Sequence, residues 1–185
     1  MTRTHKGRLI LMHTICVTVV MAAALMVRLP SAYLENVPAS ARDAYISDEG
    51  IPYFTDQDSY YHVRIVRNSL EHSILGDVVL EDGTEWDMHS FYPTGRSAQY
   101  APGIVWITKA AWHTLHTLFG TNLATVEFCF APLMTCLVAL AAYFLGMRAK
   151  GRASGVVAAV LVACAPSFAS RTVFGRFDTD AFVIL

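Results

Sequence analysis

The chain has 185 residues, of which 54% are apolar and only 16% charged, with a formal net charge of -1. That balance excludes a disordered chain and a nucleic-acid binder driven by bulk positive charge. A water-soluble domain carries about 25% charged residues, so the deficit directs attention to apolar runs that face lipid.

Residues 1–8 hold Arg3, Lys6 and Arg8 without an acid, and the run Leu9 to Val27 that follows holds no charge before Arg28-Leu29-Pro30. A bilayer core takes about 20 apolar residues to cross, so 9–29 is predicted as a first membrane helix. It reads as an uncleaved anchor, because the run exceeds a signal-peptide core and no small-x-small site follows. Residues 30–126 form a long loop with twelve acids between Glu35 and Asp87 against five bases. Turn signals at Gly50-Ile51-Pro52, Gly76-Asp77, Glu81-Asp82-Gly83 and Tyr92-Pro93-Thr94-Gly95 make it a folded loop, not a linker. Between the first two, periodicity predicts a helix from Asp58 to Leu75 with Asp58 near its first turn. The stretch 102–119 is apolar, but Lys109, His113 and His116 share one helical face, which predicts an interfacial or packed helix, not a span.

A second span is predicted over 127–147, a basic loop over 148–153 with Arg148, Lys150 and Arg152, and a third span over 154–170. Pro166 falls near the end of that span, where a lost backbone donor is easiest to tolerate. Both basic segments read as cytoplasmic. Three spans then place the N-terminus inside, and the acidic loop and residues 171–185 on the outer face. Cys16, Cys129, Cys136 and Cys164 all fall within spans, and no disulfide or zinc framework is readable.

Two acidic constellations carry chemistry. Asp56 and Asp58 lie in Phe54-Thr-Asp-Gln-Asp-Ser-Tyr-Tyr-His-Val-Arg64, and Asp178 and Asp180 lie in the run after the third span. Carboxylates two apart suit a hard divalent cation, Mg2+ or Mn2+, that keeps positions open for substrate and can hold a phosphate leaving group. The competing structural readings are Asp58 as a helix cap and Asp178 as a solvated loop acid. Tyr60, Tyr61, Phe91 and Tyr92 read as packing ahead of sugar contact, and His113 with His116 as a polar face ahead of a metal pair.

The ordered set Asp58-Ser-Tyr-Tyr-His-Val-Arg64, Phe91-Tyr-Pro-Thr-Gly-Arg96, Tyr100-Ala-Pro-Gly103 and Ser170-Arg-Thr-Val-Phe-Gly-Arg-Phe-Asp-Thr-Asp180 resembles the catalytic subunit of oligosaccharyltransferase. The resemblance implies an all-α, multi-pass membrane protein, the N-terminal part of a GT-C-type glycosyltransferase membrane domain, with a long outer loop containing amphipathic helices. It implies transfer of an oligosaccharide from a polyprenyl phosphate or pyrophosphate carrier to Asn in Asn-x-Ser/Thr of an acceptor peptide, at the outer face of a bilayer, the cell membrane in a prokaryote. By the same resemblance Asp58 binds metal and acts on the acceptor amide, and Asp178 and Asp180 are further ligands of Mn2+ or Mg2+. Arg171 is catalytic, Arg64 and Arg96 are weaker substrate contacts, and Asp56 is a bystander. Family members are far longer, so a fragment inactive alone is expected. Two other readings stand beside this one: another polyprenyl-phosphate-sugar transferase of the same architecture, and a non-catalytic membrane protein with an acidic outer loop.

Overall fold

The computed structural model describes residues 3–98 and 102–183, so Tyr100 and Ala101 of the third motif lie outside the described residues. The chain divides into two compact units. A helical unit comprises Met1–Tyr45, Ala131–Phe174 and Asp180–Leu185, and an acidic unit comprises Ile46–Phe130 and Gly175–Thr179.

The helical unit holds α1 (Arg3–Met26), the short α2 (Leu29–Ala32), a 3-10 turn (Ala39–Tyr45), most of α5 (Leu123–Lys150), α6 (Arg152–Cys164), α7 (Pro166–Arg171) and α8 (Asp180–Val183). Among the described residues α5 is the one helix long and apolar enough to cross a membrane, while the apolar parts of α1 and α6 are shorter. The core joins Val20 and Ala24 of α1, Ala139 and Tyr143 of α5, and Ala159 and Ala163 of α6. Four of these six are alanine, which lets the helix backbones approach closely. Gly155 takes this furthest: a Cβ there would meet the Tyr143 carbonyl oxygen at 2.6 Å and its ring at 2.9 Å. His13, in the first apolar run, is half-buried beside this core, its Nδ1 lying 2.9 Å from Tyr143 Oη.

Arg28, at the end of the first apolar run, is fully buried. The last turn of α1 tightens, with Arg28 N–H bonded to Leu25 O, and the carbonyl of Ala24 accepts from Arg28 Nη1 at 2.7 Å. The same nitrogen donates to Ala163 O in the last turn of α6, and Nε donates to Thr172 O, the C-cap of α7. One guanidinium therefore satisfies the open carbonyl ends of three helices, where the partial negative charge of each helix favours a cation.

The acidic unit holds α3 (Gln57–Glu71), strands β1 (Val78–Val79), β2 (Glu85–Asp87) and β3 (Arg96–Ser97), α4 (Pro102–Phe119) and the first turns of α5. The strands form an antiparallel sheet in the order β1-β2-β3, with Val78 opposite Trp86 and Trp86 opposite Ser97. The sheet adds a β element to an otherwise helical chain; strands of two or three residues are too short to show an alternating pattern. Helix α4 packs on α3: Ile104, Val105 and Thr108 are buried, and Lys109 Nζ donates to Ser69 O and Oγ at 3.0 and 2.9 Å. Of the polar face of α4, Lys109 is thus used inside the unit, while His113 and His116 are exposed.

Pro132 lies inside α5 and has no N–H to give to the carbonyl four residues back, that of Phe128. Gly175 N–H takes that carbonyl at 3.0 Å, and the Gly175 carbonyl accepts Thr55 N–H at 3.0 Å. Gly175 sits at φ +79 with the Phe128 ring 3.1 Å from where a Cβ would stand, so only glycine fits both bonds without strain. This pin brings residues 176–178 alongside the start of α3.

Candidate functional site

Helix α3 begins at an aspartate cap. Asp56 Oδ1 accepts from Ser59 N at 2.9 Å, so Asp56 satisfies an open N–H of the first turn and Asp58 is left in that turn with its side chain exposed. Asp56 is therefore no bystander in the fold, and the cap position falls two residues before Asp58.

The second acidic segment reaches this helix start directly. Ser59 Oγ accepts Phe177 N–H at 2.9 Å, so the residue after Asp58 is bonded to the residue before Asp178. Arg176 Nη2 lies 3.2 Å from Asp56 Oδ2 and 3.8 Å from Asp178 Oδ2, and His62 Nε2 lies 3.5 Å from Asp178 Oδ1. The His62 hydrogen bond holds Asp178 at a pKa of about 2, against the opposing effect of burial, with further help from Thr179 N–H and the Arg176 charge. Asp178 is ionised throughout the neutral range. Phe177 is fully buried, its ring edge-on to those of His62 and Phe130.

Of the residues singled out in the sequence, Asp58 and Asp178 are thus brought to one region of the acidic unit. Asp180 and Arg171 belong to the helical unit and pair with each other, Nη1 to Oδ2 at 3.2 Å, with Arg171 largely exposed. Arg64 Nη1 donates to both oxygens of Asp77 at 2.7 and 2.8 Å and Nη2 donates to Asp87 Oδ1 at 2.5 Å, which commits its guanidinium to the sheet. Arg96 lies 4.5 Å over the Tyr61 ring and 5.5 Å over that of Phe91. His62 and Arg176, which hold Asp178, were not singled out. His62 stands four residues after Asp58, hence on the same helical face, and that spacing was the available signal.

Asp77, Asp87 and His89 offer ligand atoms within 4.8 Å of one another, but Arg64 already sits on both carboxylates and supplies the positive charge. Burial alone raises both aspartates. For Asp77, bonds from His89, Met88 N–H, Arg64 and Asn68 outweigh it; for Asp87, bonds from Ser90, His89 N–H and Arg64 do so, and both fall below the usual carboxylate range. Their stabilisation is complete above the unfolded-state value of about 3.9 and is lost as pH falls below it toward the folded values. The stability contributed by this pair is accordingly expected to be constant from neutral pH down to about pH 5 and to be lost below about pH 4, read as the difference in melting midpoint between the wild-type chain and Asp77→Asn. Asp87→Ala, which takes away the partner of Arg64 Nη2 and the acceptor of His89 N–H and Ser90 N–H while Asp77 still holds Arg64, is expected to cost about 2 kcal/mol at pH 7, read from tryptophan fluorescence during unfolding.

The cation implied by the resemblance is tested by the donor set. Asp58 is exposed and Asp178 is ionised, with one hydroxyl-to-amide bond holding their segments together, so the unit offers two hard oxygen donors of the kind Mg2+ and Mn2+ prefer. By donor type the two residues suit the ion, with His62 and Arg176 already facing the Asp178 carboxylate.

A helical chain of this arrangement has the fold of part of an oligosaccharyltransferase: the apo crystal structure of the Archaeoglobus fulgidus oligosaccharyltransferase superposes with a TM-score of 0.66 at 17% identity, covering 92% of this chain and 18% of that one. Residues 11–185 match the model of the oligosaccharyl transferase STT3 N-terminal family, and the chain belongs to that family of membrane proteins. The dolichyl-phosphooligosaccharide-protein glycotransferase of Methanococcus voltae is 29% identical over 150 residues, 77% of this chain and 16% of that protein. The dolichyl-diphosphooligosaccharide-protein glycosyltransferase subunit stt3 of Schizosaccharomyces pombe is 33% identical over 102 residues, 54% of this chain and 14% of that protein. The chain therefore spans less than a fifth of the length of these relatives.

Proposed function

We propose that this chain is the N-terminal part of an enzyme that transfers an oligosaccharide from a polyprenyl phosphate or pyrophosphate carrier to Asn of an Asn-x-Ser/Thr acceptor. The observation that carries the reading is the Phe177 N–H to Ser59 Oγ bond, which sets the Asp58 and Asp178 segments side by side. Family membership supports the reaction class.

In this reading Asp58 and Asp178 would hold Mn2+ or Mg2+. The bound ion would offset the charge that develops on the departing phosphate oxygen. Asp58, exposed on the wall of a cleft, accepts N–H hydrogen bonds from the acceptor amide, which favours a twisted amide whose nitrogen lone pair is less delocalised. His62 and Arg176 fix the carboxylate of Asp178, so that little reorganisation remains when charge appears. The proposed topology has three spans over 9–29, 127–147 and 154–170, with a cytoplasmic N-terminus and the acidic unit on the outer face; the Arg and Lys distribution supports it.

Calorimetric titration of Mn2+ into the 185-residue chain in nanodiscs tests the ion directly. Binding is expected in the wild-type chain and a drop in affinity of about tenfold or more in Asp58→Asn and in Asp178→Asn. Equal affinity in all three chains would remove both residues from the metal site.

A further inference from the structure

A cleft of about 920 Å³ opens along α3 on the acidic unit, its wall running from Asp58 past Tyr60 and Arg67 to Phe91 and Arg96. The cations on this wall already face other groups. Arg64 is held by Asp77 and Asp87, Arg67 lies 3.4 Å from Glu49, and Arg96 lies over two aromatic rings and 3.9 Å from Asp87. Charges set against one another in this way give little net pull on an anion such as a phosphate.

What the cleft leaves open is aromatic surface. Phe91 is 72% exposed and sits at φ 54, a left-handed backbone that is costly for a bulky side chain. The surroundings enforce it: the Phe91 carbonyl accepts Thr94 N–H at 3.1 Å, Gly95 N–H at 3.2 Å and Thr94 Oγ1 at 2.9 Å. The preceding residues are anchored as well, His89 N–H and Ser90 N–H both donating to Asp87 Oδ1. A strained backbone held by this many bonds keeps the ring fixed and open at the cleft.

We propose that this cleft holds sugar units of the donor oligosaccharide, with Phe91 against the C–H face of a pyranose ring. A sugar is neutral and has an apolar C–H face and a rim of hydroxyls. That matches an open ring in a cleft whose wall also carries the hydrogen-bonding side chains of Gln57, Arg67 and Glu71. The proposal rests on the transferase reading but concerns a contact separate from the carboxylates.

The test is saturation-transfer NMR on the 185-residue chain in phosphatidylcholine nanodiscs, with free chitobiose, lactose and maltose as probes. At least one disaccharide is expected to bind through the protons of one ring face. Phe91→Gly, which suits the left-handed backbone, is expected to weaken it about fivefold or more while the melting midpoint stays level or rises. Phe91→Tyr is expected to retain binding. No disaccharide bound, equal affinity in Phe91→Gly, or binding at Phe91 only of an Asn-Ala-Thr peptide overturns the proposal. In a transferase carrying this segment, Phe91→Gly should raise the donor KM and leave the acceptor KM unchanged. An unchanged donor KM with transfer intact removes the sugar contact and leaves the enzyme reading standing. Sugar binding at Phe91 without any transfer by the wild-type enzyme removes the enzyme reading instead.

Discussion

In a transferase that carries this segment at its N-terminus, Asp58→Ala and Asp178→Asn are each expected to lower kcat about a hundredfold or more, the first with membrane insertion and melting midpoint nearly unchanged, the second at a cost of about 1 kcal/mol because His62 and Arg176 lose the charge they face. Asp58 is exposed and does not cap its helix, so its removal takes away no bond that supports the fold. Asparagine at 178 keeps the shape and the Thr179 N–H acceptor while removing the charge. The informative control is Asp56→Ala. That change removes the α3 cap and one partner of Arg176, and is expected to cost about 1 kcal/mol of stability with only a modest loss of turnover. Turnover assays on a labelled acceptor peptide, paired with thermal denaturation, separate the two aspartates. If Asp56→Ala abolished transfer and Asp58→Ala spared it, the assignment of the chemistry to Asp58 would be reversed.

Arg28→Leu is expected to destabilise the helical unit by about 3 kcal/mol or more, the largest stability loss of any single substitution considered for that unit. Leucine fills much of the volume but leaves the carbonyls of Ala24, Ala163 and Thr172 without the donors they now have, and the Thr172 hydroxyl loses Nη2 at 2.6 Å. Lysine restores a charge but as a compact ammonium on a flexible stem, without the planar fork that reaches three helix ends at once. Arg28→Lys is therefore expected to recover less than half of the loss. Thermal unfolding in detergent, followed by far-ultraviolet circular dichroism, measures both variants. A leucine variant as stable as the wild type would show that water or lipid headgroups satisfy those carbonyls equally well.

How far the sequence speaks for itself varies with the range of the interaction. A mostly helical chain is legible because apolar runs and the 3.6-residue period are local properties. The helix after Asp56 is legible for the same reason, although its end at Glu71 comes before the expected Leu75. What stays hidden depends on partners distant in the chain. Arg28 reads as the polar flank of a span, yet its acceptors lie as far as 144 residues away. Arg64 is a weak substrate contact by the resemblance alone, and the two aspartates that hold it come 13 and 23 residues later. The site is legible in part: the acidic segments are visible as motifs, but the Ser59 to Phe177 bond that joins them has no local signature. Pro132 did carry a signal. A proline inside a helix frees a carbonyl four residues back, and the chain that answers it is Gly175.

That answer also sets an order of events during synthesis. Residues 46–130 leave the ribosome well before 175–179, yet the bonds from Gly175 to Thr55 and Phe128, and from Phe177 to Ser59, close the unit only when the later segment arrives. A nascent polypeptide paused after α5 would carry an unfinished acidic unit, with Ser59 Oγ and the Phe128 carbonyl open to water or to a chaperone. The entropy of closing so long a loop rises only slowly with its length, so the delay is one of timing more than of stability. Completion of the acidic unit is thereby coupled to synthesis of α6 and α7, and any slow codon between them prolongs the vulnerable interval.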